Sequence, residues 1–257
     1  MFDITGKIKL FAFDLDGTLY LGEDLVPGAV ELIDYLRKGY RIAFFTNNSS
    51  KTAGEVHEKL NRLGIKCEVN EVYASSSVSA LYLKEAGLND LYVIGSKSFR
   101  SELESKGMRI VESDLAKNLV VGLDFDFNYK KIADALSILL KGGKFIACNE
   151  DPYFPAGEGK YAPGCGAMVG AIAASANRGP DFIIGKPHTY ILSIIAKAYK
   201  ARQDEMVIVG DSYESDVMMA LNYGSKAILV KPKSNLNNED VLEIGSLDKT
   251  LTYIKEH

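Results

Sequence analysis

The sequence predicts an α/β protein, a doubly wound parallel sheet with a second, smaller α/β layer inserted in it. Two observations carry this. Short apolar runs alternate with longer segments of helical period from one end of the chain to the other, which is the sequence form of βαβ units. Most of those runs are apolar at nearly every position, as strands of a parallel sheet covered on both faces must be. At 257 residues the chain can bury about three quarters of the surface its unfolded form exposes, so it needs neither disulfides nor a structural metal to hold together.

The elements follow in order. Residues 8–13 form a strand candidate that ends at Asp14. Over 29–38, Val30, Ile33 and Leu36 recur at helical spacing, and Gly39 stops the helix. Residues 41–45 read as a second strand, followed by a helix over 52–63 closed by Gly64. Toward the C-terminus, 181–184, 206–209 and 227–230 are strands, with a helix over 214–222. In the middle, strands at 91–94, 119–121 and 144–147 are separated by helical patterns at 97–106 and 129–141. That middle stretch is the inserted layer. Its joints fall near Ser75-Ser76-Ser77 and Asn177-Arg178-Gly179-Pro180, both polar or rich in Gly and Pro.

Composition excludes several classes. Hydrophobic residues make up 47% and charged residues 25% of the chain, and the mean hydropathy is -0.03, so a disordered or fibrous chain is not expected. Thirty Lys+Arg against thirty-four Asp+Glu give -4, which leaves no basic field for nucleic acid. Cys67, Cys148 and Cys165 are odd in number and form no Cys-x-x-Cys pair. They read as small buried thiols in a reducing cytosol, not as a zinc or disulfide framework. No apolar segment approaches the ~20 residues that span a bilayer, and Met1–Lys7 lacks a signal pattern. A soluble, cytoplasmic protein is expected, without nucleic-acid or membrane partners.

The sharpest signal is Asp14-Leu15-Asp16-Gly17-Thr18-Leu19, where the first apolar strand ends. Two carboxylates at a strand's carboxyl end face the crevice in which open parallel sheets bind ligands, and Gly17 lets the backbone turn tightly. Such a pair can hold a hard cation or divide attack from proton transfer. An EF-hand loop does not fit, because its glycine and glutamate positions hold Leu19 and Leu25. Three further clusters end separate strands. Thr46-Asn47-Asn48-Ser49-Ser50 suits a phosphate as well as it suits a capped polar turn. Gly185-Lys186-Pro187 offers a lysine to a phosphoryl oxygen, or only an exposed loop cation. Gly210-Asp211-Ser212 with Asp216 completes an acidic site, or only complements a helix dipole. Taken in order, they bring an anionic nucleophile, a cation site and phosphate donors to one sheet edge, which is what phosphoryl transfer requires.

These four clusters resemble the haloacid dehalogenase superfamily of aspartyl phosphotransferases. Asn47-Asn48-Ser49-Ser50, Asn149-Glu150-Asp151-Pro152 and Pro163-Gly164-Cys165-Gly166-Ala167 resemble its NagD-like, p-nitrophenylphosphatase-type branch, and the likeness runs through essentially the whole chain. It implies a Rossmann-like doubly wound parallel-sheet core at 1–77 and 180–257, with an inserted α/β cap domain at 78–179. It implies Asp14 as the nucleophile that carries an aspartyl phosphate, and Asp16 as the acid and then base. Asp14, the backbone carbonyl of Asp16, and Asp211 would hold Mg²⁺. Thr46, the backbone of Asn47, and Lys186 would grip the phosphoryl group, with Asp216 orienting Lys186 or a metal-bound water.

The substrate implied is a small phosphorylated metabolite, of sugar phosphate or p-nitrophenyl phosphate type, and the enzyme implied is a phosphomonoester hydrolase. The resemblance is also compatible with a homodimer formed through the cap. Superfamily members that store a phosphoenzyme or release halide lack an acid at the place of Asp16. The alternatives are a phosphomutase or phosphotransferase with the same Asp chemistry, and a non-catalytic phosphometabolite-binding regulator. Tyr153 and Phe154, in a loop that runs on through Glu158, either meet the leaving group or pack. In Leu123-Asp124-Phe125-Asp126-Phe127 the acids are either pocket residues or solvated turns, the turn being the reading preferred here, and Ser212 stands where the branch often has a larger polar residue.

Overall fold

A computed structural model describes residues 7–156, 159–231 and 238–256; Glu158 and His257 lie outside that range. The chain begins with β1 (Leu10–Asp14), a small hairpin of β2 (Tyr20–Leu21) and β3 (Asp24–Leu25), α1 (Ala29–Leu36), β4 (Arg41–Thr46), α2 (Ala53–Arg62) and β5 (Val72–Ala74). Next come α3 (Ser75–Glu85), β6 (Leu91–Ile94), α4 (Lys97–Ser105), β7 (Asn118–Val121), α5 (Tyr129–Leu140), β8 (Lys144–Ala147), β9 (Tyr153–Pro155), β10 (Tyr161–Pro163), α6 (Cys165–Ala176) and β11 (Phe182–Ile183). It closes with α7 (Tyr190–Tyr199), β12 (Met206–Gly210), α8 (Met218–Tyr223), β13 (Lys226–Leu229), β14 (Val241–Glu243) and α9 (Leu247–Glu256). Two compact units result: Met1–Thr46, His57–Tyr73 and Lys186–His257 form one, Asn47–Val56 and Ala74–Gly185 the other.

The first unit is built on a six-stranded sheet in the order β14-β13-β12-β1-β4-β5. β1 lies parallel between β12 and β4, with Leu10 opposite both Met206 and Arg41, and Asp14 opposite Phe45. Every residue of β1 and β12 is buried, which is why both read as unbroken apolar runs. Strand order reverses at β1: the chain moves outward through β4 and β5, then returns to the other side of β1 as β12. A doubly wound sheet opens its binding crevice at that switch. α1 buries Ala29, Leu32, Ile33 and Leu36, one stripe at helical spacing.

The second unit holds a four-stranded sheet in the order β11-β8-β7-β6, parallel throughout. Its core gathers Ile94, Leu119, Val121, Phe145, Met168 and Ile172. Cys148 and Cys165 in this unit, like Cys67 in the first, are free and buried, and burial pushes the Cys165 thiol up to about 12, so they act as small apolar residues. Serines are buried here too, because their hydroxyls find carbonyls. Ser75 Oγ donates to Asn47 O at 2.8 Å, Ser76 Oγ to Lys51 O at 2.5 Å and Ser79 Oγ to Ser75 O at 2.6 Å. Among the described residues no helix is long and apolar enough to cross a membrane.

Candidate active site

The polar residues that follow the first unit's strands cluster because the sheet delivers them to one edge. Asp14 closes β1 and Thr46 closes β4, while Asp211 comes directly after β12. Three backbone features bring them close. Gly17 turns the chain at a φ of +93°, and a Cβ there would lie 2.5 Å from Asp211 Oδ2. A Cβ on Gly210 would lie 2.3 Å from Asp216 Cγ, so this strand end also excludes a side chain. A π-helical turn over Tyr213–Val217 precedes α8, in place of the uninterrupted helix expected from 214. The wider turn brings Asp216 back under its own start, where Ser212 N donates to Asp216 Oδ2 at 3.1 Å.

Lys186 Nζ donates to Asp14 Oδ1 at 2.5 Å and to Asp216 Oδ1 at 2.8 Å, and all three residues are buried. Thr18 Oγ1 donates to Asp14 Oδ2 at 3.0 Å and lies 3.5 Å from Asp211 Oδ1. Burial raises the Asp14 carboxyl well above its ordinary value, against the pull of Lys186, and the charges of Asp216 and Asp211 add to the rise. Asp216 is raised by burial in the same way. Burial opposes the charge on Lys186, but the Asp14 and Asp216 carboxylates outweigh it and hold the ammonium above its usual range.

Asp14, Asp211 and Asp216 each offer a carboxylate oxygen within 4.8 Å of the others. Three acids thus meet two ammonium groups, the buried Lys186 and the exposed Lys231, and the remaining negative charge, carried on hard oxygen donors, suits a hard divalent cation such as Mg²⁺. The carboxylate side of this set is Asp14 and Asp211 with Asp216 as third member, whereas the side chain of Asp16 points to other partners.

Asp16 is exposed where Asp14 is buried. Tyr20 Oη donates to Asp16 Oδ2 at 3.3 Å and Thr46 Oγ1 to the same oxygen at 3.4 Å. Burial, and then the charge of Asp16, raises the Tyr20 phenol, so it remains a donor. Thr18 stood in the Asp14–Leu19 motif without a role of its own, while Tyr20 and Lys231, whose Nζ lies 2.5 Å from Asp211 Oδ2, were not singled out by the sequence. For Tyr20 the available signal was its place four residues beyond Asp16, across the turn at Gly17.

Asn47 belongs to the second unit, where its Nδ2 donates to both oxygens of Asp151, at 2.9 and 3.1 Å. Its carbonyl accepts from Asn149 Nδ2 at 2.6 Å, so the Asn149–Asp151 stretch is structurally tied to Asn47. Asn48 Oδ1 closes a turn by accepting from Ser50 N and Lys51 N. Ser212 Oγ accepts from Ser215 N at 3.3 Å, a capping role. Asp124, expected as a solvated acid, is instead buried and paired with Lys131 Nζ at 2.6 Å, while its other oxygen accepts from Asp126 N at 2.9 Å. Tyr153 is 61% exposed and meets Tyr161 edge-on at 5.1 Å.

Residues 11–109 match the profile of a family described as haloacid dehalogenase-like hydrolase, and 183–243 match one described as HAD-hydrolase-like. An acid sugar phosphatase of Staphylococcus haemolyticus is 34% identical over 226 residues, covering 87% of this chain and 85% of that one. One from Staphylococcus aureus is 34% identical over 227 residues, covering 88% and 87%. A p-nitrophenyl phosphatase structure from Archaeoglobus fulgidus superposes with a TM-score of 0.89 at 27% identity, over 96% of this chain and 100% of that chain. The chain belongs to the haloacid dehalogenase-like hydrolases. Within them it is a phosphatase of the NagD-like, p-nitrophenyl phosphatase branch.

Proposed function

We propose that this phosphatase hydrolyses small organophosphate monoesters, of sugar phosphate or p-nitrophenyl phosphate type, with Mg²⁺ and through an aspartyl phosphate on Asp14. The observation that carries the reading is the contrast between two carboxylates two residues apart. Asp14 is buried and bonded to Lys186 at 2.5 Å, while Asp16 is exposed and held by Tyr20 and Thr46. Attack and proton transfer need different environments, and this turn supplies both. The relatives named acid sugar phosphatase and p-nitrophenyl phosphatase support the substrate class, and the second unit is read as the specificity cap.

In the first half-reaction an Asp14 oxygen bonds phosphorus as the bond to the leaving oxygen breaks, and Asp16 gives that oxygen its proton. In the second, Asp16 takes a proton from water, the water oxygen bonds phosphorus, and the bond to Asp14 breaks to restore the carboxylate. Lys186 offsets charge on the phosphoryl oxygens, positioned by Asp216 at 2.8 Å, and Thr46 and the Asn47 backbone donate to them. Asp14, the Asp16 carbonyl and Asp211 would hold Mg²⁺, which when bound supplies positive charge against the phosphoryl group.

The test is phosphate release from p-nitrophenyl phosphate and a panel of sugar, nucleoside and three-carbon phosphates, with Mg²⁺ and with EDTA. Metal-dependent turnover is expected. Asp14→Asn should melt as a folded protein yet lose about 10³-fold or more in turnover. A folded Asp14→Asn protein working at the parent rate would refute the nucleophile assignment.

A further inference from the structure

We propose that Lys231 is a tethered counter-ion that competes with the divalent cation for Asp211, and so sets how tightly the site takes metal. The inference rests on reading the acidic cluster as the metal site. Lys231 Nζ lies 2.5 Å from Asp211 Oδ2. The sheet puts it there: Val230 N donates to Gly210 O at 2.9 Å, so the residues that follow, Lys231 and Asp211, leave adjacent strands side by side.

The two cations that serve this cluster are built differently. Lys186 has a side chain 9% exposed and bridges two buried acids, so it is a fixed part of the site. Lys231 has a side chain 58% exposed, and among the described residues its ammonium meets Asp211 alone. One ion pair at the surface holds a long side chain weakly, so Lys231 can leave. A divalent ion that takes an oxygen of Asp211 must displace that ammonium or sit within a few ångströms of it. Either way the lysine's charge opposes binding. Asp211's other oxygen, Oδ1, lies 3.5 Å from Thr18 Oγ1.

The experiment is calorimetric titration of Mg²⁺ into EDTA-stripped protein, for the parent chain, Lys231→Met, Lys231→Arg and Asp211→Asn. Lys231→Met should bind Mg²⁺ about fivefold or more tightly than the parent, and Lys231→Arg, which keeps the charge, should stay near it. The gain should shrink as salt rises from about 0.05 to about 0.5 M, because the ammonium is solvent-exposed. Asp211→Asn should bind most weakly. Equal or weaker Mg²⁺ affinity in Lys231→Met, in a parent chain that does bind, overturns the role of Lys231 and leaves the metal site standing. Absence of binding in the parent and Lys231→Met alike, up to about 10 mM, overturns the metal site and the proposal with it.

Discussion

Replacing Lys186 by methionine keeps the length of the stem and removes the ammonium that serves two buried carboxylates at 2.5 and 2.8 Å. Deleting one partner of a buried ion pair typically costs about 3–5 kcal/mol, because the other charge is left uncompensated. Here two acids lose their partner at once, and Asp211 stands close enough to repel both. For a chain of this size each kcal/mol lowers the melting temperature by roughly 2–4 °C, so Lys186→Met should melt about 6–20 °C below the parent. The assay is thermal unfolding by circular dichroism in EDTA at neutral pH, so that no metal stands in for the lost charge. Adding Asp216→Asn to Lys186→Met removes one of the orphaned acids and should recover about half of the loss. A Lys186→Met protein melting within about 2 °C of the parent would refute the view that this cluster is a buried charge balance.

Two other perturbations separate the proposed metal site from the rest of the molecule. Gly17→Ala forces an L-residue to φ +93° and places its Cβ 2.5 Å from Asp211 Oδ2; it should cost about 1–2 kcal/mol of stability by melting and weaken Mg²⁺ binding about tenfold or more by calorimetry. Asp90 in the second unit is held below the usual carboxylate range by Lys117 foremost and by Arg109, and it adopts φ 56°, which asparagine tolerates. A depressed carboxyl contributes stability above its unfolded pKa and loses it as pH falls through the folded value. Asp90→Asn should therefore melt below the parent at pH 7, and the gap should narrow as pH falls below the ordinary carboxylate range and through the lower folded value; a gap that does not narrow in acid would refute the assignment.

The strands at the centre of the first unit were legible because burial on both faces leaves no polar position inside them. The first polar residue after each run is therefore a mark, and in β1, β4 and β12 that mark is Asp14, Thr46 or Asp211. Asp14, Thr46 and Asp211 became readable as one site because parallel strands all point their carboxyl ends the same way; Lys186 departs from that expectation, since the strand before it, β11, pairs with β8 in the other sheet. Other features were opaque for physical reasons. Ser75-Ser76-Ser77 reads as a solvated joint, yet these residues open α3, with Ser75 and Ser76 fully buried, because their hydroxyls meet carbonyls that composition cannot reveal. β14 is three residues long and only half-buried, too short for any period to show. The π-helical turn at Tyr213 has no periodic signature. It is fixed by where Asp216 has to reach. Lys231 looks like any loop lysine until the pairing of Val230 with Gly210 places it beside an acid.

The pairing of β1 also shapes the order in which this protein can be born. Its first neighbour, beginning at Arg41, is made almost at once, but its second, beginning at Met206, emerges from the ribosome only after the whole second unit. Until then β1 offers an apolar strand with one bare edge, the kind of surface on which nascent chains stick together. The second unit's own strands follow one another closely and can pair without waiting. A chain stalled or cut before Met206 would therefore carry a finished second unit beside an open sheet, with Asp14 made and Asp211 and Asp216 not yet there. On the proposed mechanism, catalytic capacity therefore arrives late, when Asp211 and Asp216 join Asp14.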